Sequence, residues 1–180
     1  RAAPRIAEHI EEVVLMGGGH RVQNTTPMTE YNVWVDPEAL EVVLQSGCKV
    51  TVVPLDATME CYLTQADADE IRSFGGPGAE AVAFLVDEWL RDYRDDPAMK
   101  GYPGVPVHDA LAVCAAIDPS ILTDLRPVCC HVDIAGGYAD GQTCLDLRAR
   151  LEKEGPNCLF AFHADREKFA ATLKKILKNG

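Results

Sequence analysis

The sequence lacks an apolar run long enough to cross a membrane, since no stretch of 18 or more apolar residues occurs. Its start, Arg1-Ala2-Ala3-Pro4, lacks the apolar run and small-residue cleavage site of a signal peptide. Basic residues are few: 17 Lys and Arg stand against 28 Asp and Glu, for a formal net charge of −11. Nucleic-acid phosphates must be neutralised by Lys and Arg. We therefore expect neither a membrane nor a nucleic acid as partner.

The seven cysteines include no C-x-x-C pair, so zinc knuckles and thioredoxin-type redox sites are poorly supported. Most of them have apolar neighbours, among which a thiol acts as a small hydrophobic side chain. We expect reduced thiols and a cytoplasmic location rather than a disulfide framework.

The order of strand and helix signals predicts an α/β protein. Val13–Met16 is an apolar strand pattern that stops at three glycines, and Val50–Val53 is the next strand. Between them, Asp36-Pro37-Glu38 supplies the cap, the proline and the acid of a helix start. Strand, helix and strand with short connections is typical of a parallel sheet. We expect residues 1–180 to form a single domain with an open, mostly parallel sheet flanked by helices.

The rest of the chain continues in the same way. Thr64-Gln65-Ala66-Asp67 is typical of a capping box at a helix start. Asp109–Ile117 is predicted to be a helix, and Asp165 to cap a final one. The last third also carries three predicted strands, at residues 127–134, 142–147 and 157–162.

Three polar clusters lie where strands or helices end, and open α/β sheets bind ligands outside the carboxyl ends of their strands. The first is Gly17-Gly18-Gly19, with Met16 before it. Glycines there would let a ligand approach the backbone closely, although a tight strand-ending turn is the alternative. The pattern is not G-x-G-x-x-G, so it does not predict a dinucleotide site.

The second cluster contains Asn24, Glu30 and Asn32. In an extended stretch, Glu30 and Asn32 would face the same way. A carboxylate accepts hydrogen bonds and an amide both accepts and donates them, which suits a polyhydroxylated ligand. The alternative is a solvated loop.

The third cluster, His108-Asp109, lies between a loop and an apolar helix. The helix dipole favours a carboxylate at that end, as a cap or as a metal ligand. A neighbouring histidine can supply a proton near neutral pH. The alternative is that Asp109 only caps the helix.

Taken together and in this order, these motifs resemble the inosine-uridine-preferring nucleoside hydrolase family. Several linked motifs in register are far more specific than any one of them, and the resemblance covers nearly the whole chain. The matching segments are Val14–Gly19, Asn-x-x-Pro-x-x-Glu-x-Asn at 24–32, Asp36–Ala39, Val53–Thr58, Pro106–Ala110, Asp140–Thr143 and Asp146–Arg148.

The resemblance implies hydrolysis of the N-glycosidic bond of ribonucleosides, such as inosine or uridine, in nucleoside salvage. It implies one bound Ca²⁺, with Asp109 as one of its ligands, and a ribonucleoside as the small-molecule partner. By analogy with the family, we also expect a homo-oligomer.

The resemblance also implies roles for the other residues. Asn24, Glu30 and Asn32 match positions that grip the ribose hydroxyls, and Met16 matches an apolar residue against the sugar. His108 matches the histidine that serves the leaving base. Members restricted to purines usually carry an aromatic residue there, so the histidine favours inosine and uridine.

The main departure from the family pattern is the absence of its opening motif, D-x-D-x-x-x-D-D, which supplies most of the metal ligands and the general base. Asp67-Ala68-Asp69-Glu70 and Asp95-Asp96 are the nearest acidic clusters, and we interpret them as solvated faces. We therefore expect the C-terminal portion of the fold, whose activity requires the N-terminal half. A separate N-terminal chain could supply that half. The alternative function is a non-catalytic structural or interaction fragment.

Overall fold

The computed structural model of the protein describes residues 3–149 and 154–179. In chain order, its strands are β1 (Val13–Met16), β2 (Val50–Val53), β3 (Tyr62–Leu63), β4 (Val105–Pro106), β5 (Leu122–Val132), β6 (Thr143–Asp146) and β7 (Cys158–Ala164). Its α-helices are α1 (Tyr31–Val35), α2 (Pro37–Leu44), α3 (Leu55–Thr58), α4 (Gln65–Ser73), α5 (Pro77–Asp95), α6 (His108–Ile117) and α7 (Arg166–Asn179). Short 3₁₀ helices span Pro4–His9, Pro97–Met99 and Pro119–Ile121.

These residues fall into two compact units. The first comprises the described residues up to Ala57 and those from Leu122 to His163. The second comprises Thr58–Ile121 and the described residues from Ala164 onward. A single domain over residues 1–180 stays a prediction.

The first unit is built on a five-stranded sheet in the order β1-β2-β7-β5-β6. β2 pairs in parallel with both β1 and β7, and β6 adds an antiparallel edge next to β5. Every residue of β2 is buried, as expected of a parallel strand covered on both faces. The α/β fold with a mostly parallel central sheet flanked by helices is confirmed.

The core of this unit joins the sheet to α2. Phe160 of β7 and Val52 of β2 lie in one buried cluster with Leu40 and Leu44 of α2. Burying each such side chain contributes about 1.5–3 kcal/mol relative to leaving it in water. α2 begins where the sequence predicts, because Asp36 Oδ1 accepts the N–H of Ala39 at 2.9 Å.

The second unit is mainly helical. β3 and β4 form a short antiparallel ladder, and α4, α5, α6 and α7 pack in pairs around a core that includes Leu63, Ile71 and Phe169. The capping box at Thr64 is present. Its other member, Asp67, is buried and accepts a hydrogen bond from the ammonium of Lys174 at 2.7 Å, so the interpretation of Asp67 as part of a solvated face is wrong. None of the described helices is both long enough and apolar enough to cross a membrane.

Candidate functional site

The carboxyl ends of β1 and β2 lie side by side in the first unit. Met16, the last residue of β1, is in register with Val53, the last residue of β2. The N–H of Gly17 donates to Val53 O at 3.3 Å, and the N–H of Leu55 donates to Gly18 O at 3.0 Å. The segments that follow both strands therefore stay together at this edge, which is where parallel α/β sheets bind ligands.

The loop after β1 requires glycine at two positions. Gly18 has φ of 74°, and a Cβ there would lie 2.7 Å from Cγ2 of Thr143. A Cβ on Gly19 would lie 2.0 Å from the carbonyl oxygen of Val22. The buried hydroxyl of Thr143 donates to Gly19 O at 2.7 Å and accepts the N–H of Gly19 at 3.1 Å. The glycines thus permit a close approach between the loop and the start of β6.

The Glu30 carboxylate is buried beneath this loop, at 2% exposure. Oε2 accepts the N–H of Gly18 at 2.9 Å and that of Val33 at 3.3 Å, and Oε1 accepts the N–H of Asn32 at 2.9 Å. The bonds to Val33 and Asn32 make Glu30 the N-cap of α1. The prediction of an extended stretch through Asn32 is therefore wrong, because the chain turns into a helix at Tyr31.

A second buried carboxylate, Asp56 of α3, holds the next two residues of the loop. Oδ2 accepts the N–H of His20 at 2.7 Å, and Oδ1 accepts the N–H of Arg21 at 3.0 Å. The guanidinium of Arg21 also approaches Oδ1, at 3.5 Å. Hydrogen bonds to a charged group contribute about 1.5–3 kcal/mol each. Glu30, Asp56 and Thr143 together fix the backbone of residues 18–21.

The two asparagines lie at the surface beside this loop. Asn24 Oδ1 accepts the N–H of Tyr31 at 3.0 Å, and Asn32 Nδ2 donates to Met16 O at 3.4 Å and contacts Met16 Sδ at 3.2 Å. Within the described part of the chain, Asn24 Nδ2 and Asn32 Oδ1 have no hydrogen-bond partner. Asn32 thus contacts Met16, and Asn24 contacts Tyr31, the residue before Asn32.

His108 and Asp109 lie in the other unit, in the first turn of α6. The N-cap of α6 is Val107 and no side chain caps it, so the alternative that Asp109 is the cap is wrong. Asp109 is exposed, and its carboxylate makes no hydrogen bond or ion pair with any described residue. His108 is half-buried, and its Nδ1 lies 2.7 Å from the hydroxyl of Thr58.

Sequence reasoning does not single out Asp56, Thr58 or Thr143 as site residues. Each lies in a motif that carries the family resemblance, at 53–58 or 140–143. The sequence could indicate such residues only as polar residues near the end of a buried strand or at the start of an edge strand. That signal identifies no bonding partner, because Asp56 bonds to residues 35 and 36 positions away and Thr143 to one 124 positions away.

Comparison with known proteins decides the family. A family model described as inosine-uridine preferring nucleoside hydrolase matches residues 1–171. The chain belongs to this family. The resemblance drawn from the sequence motifs is therefore confirmed.

Among relatives of this chain, the pyrimidine-specific ribonucleoside hydrolases RihA of Salmonella schwarzengrund and Escherichia fergusonii are each 33% identical to it over 175 residues. The aligned region is 97% of this chain and 55% of either relative. The chain therefore spans about half the length of the curated relatives it matches.

Solved structures support the same fold. The purine-preferring ribonucleoside hydrolase of Gardnerella vaginalis superposes with a TM-score of 0.83 at 28% identity, over 99% of this chain and 57% of that one. A plant nucleoside hydrolase, the PpNRh1 enzyme, superposes with a TM-score of 0.86 at 23% identity, over 98% of this chain and 56% of that one. Relatives named for pyrimidines and for purines are thus both similar to this chain, and similarity alone does not define its base preference.

By the family resemblance, Asp109 is the expected ligand of a calcium ion. Calcium prefers six to eight oxygen ligands, and the oxygens of the exposed Asp109 carboxylate have no hydrogen-bond or ion-pair partner among the described residues. The only cluster of three or more metal-ligating side chains among the described residues is Cys129, His131 and Glu154, which lacks Asp109. The described residues therefore fit one ligand of a calcium site and do not complete it.

Proposed function

We propose that this chain supplies the ribose- and base-binding part of an enzyme that hydrolyses the N-glycosidic bond of ribonucleosides to free base and ribose. The observation that carries the proposal is the convergence of Glu30, Asp56 and Thr143 on the loop at residues 18–21. Burying charged and polar groups is costly unless they are hydrogen-bonded, and here the bonds go to one loop at the ligand edge of the sheet. Such preorganisation is what a binding site requires.

In this proposal, the ribose lies against Met16, and its hydroxyls bond to the amides of Asn24 and Asn32. Asn24 Nδ2 would donate to a hydroxyl and Asn32 Oδ1 would accept from one, which matches the donor and acceptor character of a sugar diol. Glu30 supports the same surface from beneath, and its negative charge favours the positive charge that develops on the ribose.

The reaction breaks the bond between C1′ of the ribose and a ring nitrogen of the base. The electron pair of that bond leaves with the base, and the oxygen of a water molecule bonds to C1′. The base nitrogen takes up a proton, while the attacking water gives one up. We assign the proton delivery to His108, because an imidazole titrates near neutral pH. Thr58 lies on the Nδ1 side of the ring and would help to orient the imidazole.

We assign Asp109 as one ligand of a bound Ca²⁺. When bound, the ion would hold the ribose hydroxyls and the attacking water. Because one carboxylate supplies at most two of the six to eight oxygens that calcium takes, the activity requires further acidic ligands. The family's aspartate-rich opening motif is their proposed source, carried by a preceding segment or by a separate N-terminal chain.

The first test compares the 180-residue chain with the same chain fused to a relative's segment that carries the aspartate-rich motif. We expect calcium-dependent release of base from inosine and uridine only from the fusion. Normal turnover by the 180-residue chain would refute the requirement for further ligands. A folded, calcium-binding fusion without turnover would favour the alternative, a non-catalytic structural or interaction fragment.

The second test uses the active fusion. Asp109→Asn should weaken calcium binding in calorimetry, while Asp92→Asn, which alters an exposed carboxylate of α5, should not. His108→Ala should slow inosine hydrolysis by about 10²–10⁴-fold, the usual contribution of general acid catalysis. Thr58→Val should shift the acid or base limb of the pH profile if Thr58 positions the imidazole. An unchanged profile would remove that role.

The proposal also includes a base preference and an oligomeric state, both drawn from the family resemblance. His108 favours cleavage of both inosine and uridine over strict purine specificity, which the ratio of kcat/KM values for the two substrates tests. A homo-oligomer is proposed from the family resemblance, and light scattering of the purified protein tests it.

A further inference from the structure

Three side chains of types that bind metals, Cys129, His131 and Glu154, lie together near the antiparallel edge of the sheet. They differ in chemistry from the residues of the proposed ribose surface. Cys129 and His131 are two residues apart in β5, so they share one face. Their neighbours Cys130 and Val132 belong to the hydrophobic core, which places Cys129 and His131 on the opposite side of the sheet. This side carries a cavity of about 470 Å³ whose lining includes both residues and Glu154.

The three side chains bring their ligand atoms together. Cys129 Sγ, one ring nitrogen of His131 and a Glu154 carboxylate oxygen all lie within 4.8 Å of one another. Glu154 Oε2 is 3.7 Å from the sulfur and 2.9 Å from the nitrogen. Tetrahedral zinc with its usual bond lengths separates such atoms by roughly 3.4–3.6 Å. The Glu154 side chain is 75% exposed, so it can move to lengthen its 2.9 Å contact with the nitrogen.

A second observation indicates that His131 is oriented for a ligand at Nε2. Its Nδ1 lies 3.0 Å from Glu41 Oε1 of α2. The other oxygen of Glu41 accepts the N–H of Val132 at 2.8 Å, and Gln45 Nε2 donates to Oε1 at 3.2 Å. Glu41 is therefore held in place. Histidines that bind metals almost always donate their other ring N–H to such a fixed carboxylate or carbonyl.

We propose that Cys129, His131 and Glu154 form a binding site for a transition metal of the zinc class, with a water molecule as fourth ligand. A thiolate and an imidazole favour zinc and related ions, whereas calcium takes oxygen ligands, so this site is distinct in chemistry from the one assigned to Asp109. It does not depend on the proposed hydrolase activity.

Metal binding at this site displaces protons. Burial and the Glu154 carboxylate raise the pKa of the Cys129 thiol, so the sulfur carries a proton that the metal must replace. The imidazole must likewise bind through an unprotonated Nε2. The bound ion would tie Glu154 to β5, 25 residues earlier in the chain, and so fix the segment that leads into β7.

The test titrates Co²⁺ and Zn²⁺ into the purified, chelator-treated chain in an excess of calcium. We expect one ion per chain and a thiolate-to-cobalt charge-transfer band that zinc abolishes. Cys129→Ser should remove the band, whereas Cys144→Ser, which alters an exposed thiol lining the same cavity, should retain it. Circular dichroism of each variant verifies that it is folded.

Glu41→Gln provides an independent readout. It should keep the charge-transfer band but weaken zinc binding by about 10–100-fold, the usual cost of losing a carboxylate that orients a ligating histidine. Absence of the band in the unmodified chain would overturn the proposal. Its persistence in Cys129→Ser, or its loss in Cys144→Ser, would do the same by assigning the sulfur ligand elsewhere.

Discussion

Replacing Glu30 by glutamine would place an NH₂ group, which donates hydrogen bonds, against backbone N–H groups, which also donate them. In the native structure, Oε1 accepts one backbone N–H, from Asn32, and Oε2 accepts two, from Gly18 and Val33. A glutamine has one oxygen and one NH₂ group for these two places. With its oxygen at the Oε2 place, the N–H of Asn32 loses its acceptor. In the other orientation, the N–H groups of both Gly18 and Val33 lose theirs.

The smaller of these losses sets the expected effect. In that orientation, with the oxygen at the Oε2 place, one hydrogen bond to a charged group is lost and the other two become bonds to a neutral oxygen. The N–H of Asn32 is left without its acceptor beside a side chain that is 2% exposed. We expect Glu30→Gln to lower the free energy of unfolding by about 2–4 kcal/mol. For a chain of this size, each kcal/mol corresponds to about 2–4 °C, so the Tm should fall by roughly 4–16 °C.

Urea unfolding followed by far-ultraviolet circular dichroism measures this change. Glu11→Gln is the matched control, because Glu11 is exposed and without a hydrogen bond or ion pair to any described residue. Its free energy of unfolding should stay within about 0.5 kcal/mol of the original. If Glu30→Gln unfolded at the same midpoint as Glu11→Gln, the carboxylate would not be holding the loop, and the argument for a preorganised binding edge would fail.

Two further predictions concern the loop and the helical unit. Gly18→Ala should lower stability by about 1–3 kcal/mol, because a Cβ there would lie 2.7 Å from Thr143 at a φ of 74°. Gly78→Ala in α5, where a Cβ would meet nothing within 4 Å, should be neutral or stabilising by up to about 1 kcal/mol in the same urea assay. Equal losses in both variants would contradict the close approach. Burial alone would raise the pKa of Asp67, but the bonds from Lys174 and Thr64 and the charge of Arg166 outweigh it and lower that pKa. The stability that Asp67 contributes is therefore complete above about pH 4 and is lost as the pH falls through its folded-state value. Urea midpoints at about pH 5 and about pH 3 should differ less in Asp67→Asn than in the original chain. An undiminished difference would show that other groups carry the acid sensitivity.

Elements with local signals could be predicted from the sequence. Asp36 and Thr64 cap the helices whose starts they indicate, because a cap bonds within three residues of itself. β1 and β2 follow from their apolar runs. β5 starts earlier than expected, at Leu122 and not at Pro127. The ladder with β6 involves only Cys129–Val132, so the missing N–H of Pro127 interrupts no pairing on that side of β5.

The site could be predicted only as a set of residue types. Glu30 has one partner 12 residues earlier in the chain, and Cys129 has one 25 residues later. No spacing rule for helices or strands connects such pairs, because the tertiary fold brings them together. The motif resemblance identifies the family, but it does not reveal that Glu30 caps a helix or that Asp56 holds the loop after β1.

The hydrogen bonds between Thr143 and Gly19 also determine when, during synthesis of the chain, the loop after β1 can reach its final structure. Their 124-residue separation means that the loop after β1 leaves the ribosome long before the hydroxyl that fixes it. At about 5–20 residues per second, that interval is roughly 6–25 s. Throughout this time, the N–H of Gly19 lacks the acceptor that it has in the folded chain, and the carbonyl of Gly19 can bond to the nearby amide of Gln23 but not yet to Thr143. The ligand edge of the sheet therefore acquires its final shape only after β6 is made, and a nascent chain stopped before residue 143 would present this edge unformed.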